Sequence, residues 1–404
     1  VAFAFESMMD ELAARVGVTP GEIRRRNVVE REDLALSGQS LAGSGPIREV
    51  LETALLRSDF EARREEFLRW NEGQRWRKRG VGIGFILYGV ALHAGGQHLE
   101  GSGALVQVMK DGSAQVAIGG TEIGQGAYTM AAQIASSLVG IPTSRFRASA
   151  TDTSLLPDSG PTVASRTTVM SGNAVKDAAS RIRERLLPIA AELLDVPVER
   201  VETGAGVYRD RESGREIATP EVTGLAWRRK LKLSEIGWYA PPPKPWNVST
   251  GQGTAYLVYA SAAHVAEVEV DLISGETQVL KVTAVHDVGR AINPDLVRGQ
   301  IYGGVSHGLG YALMEDLQLK DGVPLNANFT DYLIPSVHDM PPVDVVLIEE
   351  PFEEGPFGAK GIGEPSLIPA PAAIANAVSA ALGHRFHELP ITPERVLAAT
   401  SKYM

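Results

Sequence analysis

The stretch ALVQVMKDGSAQVAIGGTEIGQG, residues 104–126, decides how this chain is read. Ala104–Met109 and Ala114–Ile118 flank Lys110-Asp111-Gly112-Ser113. Asp-Gly is a strong tight-turn signal, so the two runs are expected to form a β-hairpin. A glycine-rich loop, Gly119 to Gly126, comes next, and Ala127, Met130, Ala131, Ile134 and Leu138 then keep helical spacing. The free N–H groups at the start of such a helix favour an anion. No Gly-Lys-Ser/Thr follows the loop, and the strand before it belongs to a hairpin. It is therefore neither a Walker loop nor a dinucleotide fingerprint.

The same order returns further along. Val265–Asp271 and Val279–Asp287 flank Ser274-Gly275, a second hairpin. The loop Asp287-Val288-Gly289-Arg290-Ala291-Ile292-Asn293-Pro294 then leads into a helix carrying Gly299-Gln300. Two hairpin–loop–helix units predict an α+β chain made of two related mixed α/β halves, with a ligand cleft between them. The expected division is a helical segment over 1–80 that continues from a preceding domain, a first half over 81–253 and a second half over 254–404. Within the first segment, Thr19-Pro20-Gly21-Glu22 is a capping box with proline at the first helical position, and 57–71 suits a surface helix. Residues 200–253 read as the main irregular region, stiffened by Pro241-Pro242-Pro243-Lys244-Pro245. Val1 falls inside an apparent helix, which reads as a processed, cut or split-off polypeptide.

Composition narrows the function classes. At 404 residues, 44% hydrophobic and 22% charged, the chain suits a globular protein of two or three domains. A net charge of −10 argues against a long nucleic-acid groove, so Arg24-Arg25-Arg26 and Arg228-Arg229-Lys230 read as solvated helix faces. Zero cysteines exclude disulfides, a cysteine nucleophile and any iron–sulfur cluster bound by this chain. No apolar run is long enough to span a bilayer and no signal peptide is visible, which fits a cytoplasmic protein.

Three further segments could carry chemistry. In Gly358-Ala359-Lys360-Gly361-Ile362-Gly363-Glu364-Pro365-Ser366-Leu367, Pro365 suits the first helical position and places Glu364 at the N-cap. A carboxylate in an apolar, glycine-lined setting is a candidate general base, whereas a bland helix-start acid would merely meet the dipole. The residues alone leave both readings open. Pro157-Asp158-Ser159-Gly160-Pro161-Thr162-Val163-Ala164-Ser165-Arg166-Thr167-Thr168 packs hydroxyls, small residues and one arginine before a helix. That set suits a phosphate or a heterocycle rich in hydrogen-bonding atoms, or else a Ser/Thr-rich cap. The helix from Asp295 to Glu315 carries Gly299, Gly303, Gly304, Gly308 and Gly310, which predicts close contact with another backbone. His307 on it reads as a packed, hydrogen-bonded residue.

In this order the motifs resemble the molybdenum-cofactor-binding portion of the xanthine dehydrogenase/aldehyde oxidase family of molybdenum hydroxylases. The resemblance rests on residues 119–126, 157–165, 287–300 and 361–365, and extends to the opening helix and to Thr392-Pro393-Glu394-Arg395. It implies that Gly124, Gln125 and Gly126, with Val163, Ala164, Ser165, Arg166, Thr167 and Thr168, hold a molybdenum–molybdopterin group, in a cytosine dinucleotide or simpler form. Gln300 would hydrogen-bond the pterin, Lys360 would touch the cofactor, and no side chain would ligate the metal directly. Glu364 matches the general base of a hydroxylation that inserts water-derived oxygen at an electron-poor carbon of an N-heterocycle (purine-like) or an aldehyde. Electrons would leave through partner subunits bearing 2Fe–2S clusters and FAD, and another polypeptide would carry the other half of the site. The stretch Ala91 to His98 has no aromatic residue where purine-oxidising members place substrate clamps; that points away from xanthine and leaves His93 and His98 as candidates to face a small-molecule substrate. Rival readings of the same motifs are an aromatic CoA-thioester reductase, a carbon monoxide dehydrogenase and a non-catalytic scaffold subunit.

Overall fold

A computed structural model describes residues 1–400. The chain opens with helices α1 (Ala2–Val16), α2 (Pro20–Asn27), α3 (Ile47–Arg57) and α4 (Phe60–Glu72). Thr19 caps α2 as expected, its hydroxyl accepting the Glu22 N–H at 3.1 Å. Arg24 departs from its expected place on a solvated face. It is 3% exposed, and its guanidinium donates to Glu6 at 2.9 Å and to Asp10 at 2.8 Å, tying α2 to α1. The helical reading of 1–80 gives way to loops over 28–46 and to a strand at the end.

That strand, β1 (Arg77–Val90), precedes the predicted hairpin β2 (Ser102–Val108) and β3 (Ala114–Ile118), then α5 (Ala127–Val139), β4 (Phe146–Ala148) and α6 (Thr167–Leu194). Residues 200–253 are more ordered than expected. They hold a small antiparallel sheet of β5 (Val201–Thr203), β6 (Val207–Asp210) and β7 (Glu216–Ala218), followed by α7 (Thr219–Arg228) and β8 (Ser234–Tyr239). Two-residue strands β9 (Trp246–Asn247) and β10 (Gln252–Gly253) close this region. The second hairpin pairs β11 (Val258–Asp271) with β12 (Thr277–Asp287), and α8 (Pro294–Leu313) follows. Short strands β13 (Leu319–Lys320) and β14 (Val323–Pro324) precede β15 (Val343–Ile348), α9 (Pro369–Leu382) and α10 (Pro393–Thr400).

Two four-stranded sheets share one plan, the related halves read from the motifs. One runs β4-β3-β2-β8 and the other β15-β12-β11-β1. In each, a central antiparallel hairpin gains a parallel strand on one edge and an antiparallel strand on the other. In each, a helix lies against the hairpin and its antiparallel edge: α6 on β8 and β2, α9 on β1 and β11. The close approaches also match. A Cβ at Gly237 would sit 2.0 Å from the Ala174 carbonyl oxygen, and one at Gly80 would sit 2.0 Å from that of Ala377. Chain order and sheet membership are interleaved, however. β1 falls before the first hairpin in sequence but pairs with β11 along its whole length, Arg77 opposite Asp271 and Val90 opposite Val258. Residues 81–90 thus complete the sheet of the 254–404 stretch.

β11 is buried almost throughout because both faces of its sheet are covered. Ala266, Val268 and Val270 pack toward α8 and α9, while Val265, with Val81 and Ile83 of β1, packs against α3 and α4. Full burial of each such valine or isoleucine side chain contributes about 1.5–3 kcal/mol. Among the described residues, no helix is long and apolar enough to cross a membrane.

Candidate active site

Both units turn their loops toward one cavity of about 430 Å³. Its walls come from the loop before α5 (Ile123, Gly124, Gln125), the loop before and first turn of α6 (Thr162, Val163, Ser165, Thr167, Thr168), one face of α8 and residues 361–367. Two close approaches make this possible. A Cβ at Gly361 would lie 1.7 Å from the Ser165 carbonyl oxygen, so only glycine lets the 361 loop reach the α6 loop. A Cβ at Gly304 would lie 2.4 Å from the backbone of Ser366, the backbone contact expected of the glycines in α8; at Gly308 it would lie 2.4 Å from the Ala370 Cβ and at Gly310 2.0 Å from the Glu315 carboxylate, both side chains, and at Gly299 it would meet nothing within 4 Å among the described residues. Gly303 is open as well, and it lines the cavity: a Cβ there would meet nothing within 4 Å.

Glu364 is half-buried on the cavity wall. Pro365 does not start the helix; a turn spans 363–368 and α9 begins at Pro369. The carboxylate is therefore no simple helix-start acid. Its Oε1 accepts the Ala164 N–H at 3.0 Å, and its Oε2 accepts the Tyr88 hydroxyl at 2.7 Å and the Ser165 hydroxyl. The Glu364 N–H in turn donates to Ser165 Oγ at 3.0 Å. Burial, and then the hydrogen bond to Glu364, raises the Tyr88 phenol above the ordinary tyrosine range and keeps it a donor. Sequence reasoning missed Tyr88. It sits near the end of β1, and only the pairing of β1 with β11 aims it at residues far along the chain.

Several expected residues meet in this cavity: Gly124, Gln125, Val163, Ser165, Thr167, Thr168, Gln300 and Glu364. The Gln125 amide is engaged in its own loop, donating to Thr121 O at 2.8 Å and accepting the Ile123 N–H at 2.7 Å. The Gln300 amide makes no hydrogen bond among the described residues. Gly126 lies one step further in, on a smaller adjoining cavity that Gln125, Thr168 and Gln300 also line. The anion expected at the start of α5 is a side chain of this protein. Glu122 accepts the N–H groups of Gly124, Gly126 and Tyr128. Burial pushes the Glu122 carboxyl up, but these backbone donors together hold it below the usual carboxylate range.

Other expected residues point away from the main cavity, although Lys360 lines the adjoining one. The Lys360 ammonium is fully buried against Asp287 at 2.6 Å, with Tyr259 O at 3.1 Å and Ser44 O at 3.2 Å. It braces the loop before Gly361 rather than touching the main cavity. Arg166 likewise turns inward, to Glu100 and to backbone carbonyls. Ala164 contributes its backbone N–H to Glu364. His93 packs edge-on against Trp246 at 4.7 Å and accepts the Gly95 N–H at 3.3 Å, a bond within its own loop. His98 lines a separate cavity of about 270 Å³ with Leu92, Met170 and Pro241–Lys244. His307, expected to be packed, is exposed on the main cavity wall.

A cavity of this size, walled by small residues, hydroxyls and the free amide of Gln300 beside a bonded carboxylate, defines a binding domain for a bulky group rich in hydrogen-bonding atoms. The family model described as "molybdopterin cofactor-binding domain" matches residues 53–341. The chain belongs to this family, the molybdopterin-binding part of xanthine dehydrogenase/aldehyde oxidase-type molybdenum hydroxylases. It is 34% identical to the nicotine 6-hydroxylase large subunit of Paenarthrobacter nicotinovorans, over 98% of this chain and 49% of that protein. It is 32% identical to a putative xanthine dehydrogenase molybdenum-binding subunit of Escherichia coli (strain K12), over 98% of this chain and 51% of that one. The solved structure of quinoline 2-oxidoreductase from Pseudomonas putida 86 superposes with a TM-score of 0.85 at 28% identity, over 99% of this chain and 52% of that chain. The chain thus spans about half the length of these relatives.

Proposed function

We propose that this chain supplies one wall of the active site of a molybdenum hydroxylase that oxidises an electron-poor carbon of an N-heteroaromatic ring or an aldehyde, with Glu364 as the proton acceptor. The observation that carries this reading is the Glu364 carboxylate itself, bound by three donors on the wall of the main cavity. Nicotine and quinoline in the names of two relatives favour the heteroaromatic ring.

The residues fit a pterin-borne metal. Gln300 has an amide unpaired among the described residues, Thr167 and Thr168 bring hydroxyls to the same wall, and Gly303 leaves open space on α8. These, with Gln125 and the backbone of Val163, would hold the molybdenum–pterin group, taken here in its cytosine dinucleotide form. When bound, that group supplies the two-electron chemistry through which water-derived oxygen reaches the carbon. The part of this chain is to place one carboxylate and to move one proton. Ala164 N–H, Tyr88 and Ser165 fix the plane of the carboxylate and leave one lone-pair site, on Oε1, to take a proton. Tyr88 and Ser165 stay hydroxyl donors, so the proton released from the reacting oxygen goes to Glu364.

Electrons then pass to partner subunits bearing 2Fe–2S clusters and FAD, because this chain has no cysteine to hold a cluster. A further polypeptide segment completes the site. Exposed apolar side chains on the long irregular stretch after α8 (Leu317, Leu325, Phe329, Leu333 and Val337) fit a surface covered by such a partner. The assembled enzyme works in the cytoplasm.

The test is to purify the assembled complex and measure molybdenum, iron and flavin together with oxidation of quinoline, nicotine and an aromatic aldehyde. Full molybdenum with turnover reduced to a small measurable remainder in Glu364→Gln supports the reading. Full molybdenum with unchanged turnover in that variant refutes it.

A further inference from the structure

Ala164 and Ser165, the residues that present an N–H and a hydroxyl to Glu364, both have left-handed backbone, with φ of 52° and 51°. A residue with a Cβ loses about 1–2 kcal/mol in that region. Such strain persists only where the surroundings over-determine it. The bracing comes from the next residue. Arg166 is 2% exposed. Its Nε donates to Glu100 Oε2 at 2.7 Å, one terminal nitrogen to Ser159 O at 2.6 Å and Pro161 O at 2.9 Å, and the other to Gly101 O at 3.1 Å and Leu99 O at 3.2 Å. A guanidinium has five N–H donors, and every one of them is used. Glu100, 7% exposed, spends its other oxygen on the Leu92 N–H. Ala91 N–H, next to Leu92, donates to Ala164 O at 2.9 Å.

We propose that the Arg166–Glu100 pair positions the reacting carboxylate: it clamps the 99–101 and 159–161 loops to the start of α6 and so holds Ala164 and Ser165 in the one conformation that aims both donors at Glu364. This rests on the reading of Glu364 as proton acceptor. Neither member of the pair touches the carboxylate, so both are positioning residues. Lysine cannot replace the arginine, since an ammonium offers three donors from one point where a planar fork serves five acceptors.

The test uses the assembled, molybdenum-loaded enzyme with Arg166→Lys, Glu100→Gln, Glu364→Gln and the double variant Arg166→Lys/Glu364→Gln. Misplacing a reacting group by about 1 Å costs roughly 100-fold in rate. Arg166→Lys and Glu100→Gln are therefore expected to lower kcat about 10- to 100-fold while KM and molybdenum content stay near parental values. In the double variant the arginine change should add nothing to the loss from Glu364→Gln, because a misaimed carboxylate and an absent one fail alike. A bracing role for the fold alone would move KM, molybdenum content and melting temperature together, and its effect would multiply with that of Glu364→Gln. Either result overturns the proposal, as does failure of both single variants to fold. If Glu364→Gln turns over normally, the underlying reading falls. If Glu364→Gln is strongly impaired and Arg166→Lys is not impaired, only the positioning role falls.

Discussion

The histidine pair between β11 and β12 makes stability depend on pH in a way that can be measured. His264 and His286 are fully buried, with their Nε2 atoms 2.8 Å apart. One ring donates and the other accepts, so the pair holds together only while both are neutral or share a single extra proton. Both Nδ1 atoms are buried without a partner among the described residues. An added charge would have nothing to bond to. Burial pushes His264 down to about 3, and burial together with the charge of its neighbour holds His286 well below the usual histidine range. Above about pH 6.5, the ordinary histidine value, native and unfolded chains are both neutral here and the stability is fully present. Below it the unfolded chain takes up protons that the native chain refuses, and stability falls with pH until the native values are reached. Each pH unit costs about 1.4 kcal/mol per histidine. At about pH 5 the pair should cost roughly 4 kcal/mol in all. The assay is urea unfolding, followed by circular dichroism, of the parent chain and a His264→Leu/His286→Phe variant across this range. The gap between the two should shift by about 4 kcal/mol in favour of the variant between about pH 7.5 and pH 5. Parallel pH profiles would refute the argument, because they would mean that the pair ionises as readily in the native chain as in the unfolded one.

Three other perturbations follow from the site. Tyr88→Phe removes one of the donors to Glu364; a hydrogen bond to a charged group is worth about 1.5–3 kcal/mol, so steady-state assays of the complex should find kcat lowered about 10- to 100-fold, and an unchanged kcat would make Tyr88 a bystander. Gly361→Ala places a Cβ 1.7 Å from the Ser165 carbonyl, which should part the two loops and cut the molybdenum content of the purified complex sharply. Lys360→Met strands Asp287 at zero side-chain exposure and should destabilise the fold by about 3–5 kcal/mol in chemical denaturation, whereas Lys360→Met/Asp287→Leu should recover most of the loss.

What could be read from the residues was local in origin. Asp111-Gly112 announces its hairpin, and Thr19-Pro20-Gly21-Glu22 its cap, because turn and cap chemistry sit within a few positions. The glycine and hydroxyl segments around 124, 165 and 364 were likewise legible as places of close approach. What was missed depends on partners far away in sequence. β1 joins a strand beginning at Val258, and that pairing alone brings Tyr88 to Glu364. Lys360 stands among cavity residues in sequence, yet Asp287 draws its ammonium into the core. Arg24 lies in a run of three arginines that look alike, and only the packing of α1 against α2 selects it for burial with Glu6 and Asp10. Pro365 and Pro369 both suit a helix start. The turn at 363–368, with Ser366 donating to Gly363 O at 2.6 Å and packed on Gly304, gives the start to Pro369.

The repeat and the site explain each other. Two units of one plan leave a cleft where their loops meet, and neither unit alone orients the carboxylate. Glu364 belongs to the second unit, Ala164 and Ser165 to the first, and Tyr88 to a strand that comes before the first unit in the chain but is paired into the second. The carboxylate is thus bonded across the seam between the units. A change that parts the units by a fraction of an ångström would lengthen those bonds before it disturbed either of the two large hydrophobic cores, which lie within the units; only a small cluster, with Val169 and Met170 of α6 against Val90, Val258, Ala260 and Phe352, spans the seam and would open with it. Loss of turnover should therefore precede loss of structure when the seam is loosened, for example by low concentrations of urea. The melting of either core sets a later threshold.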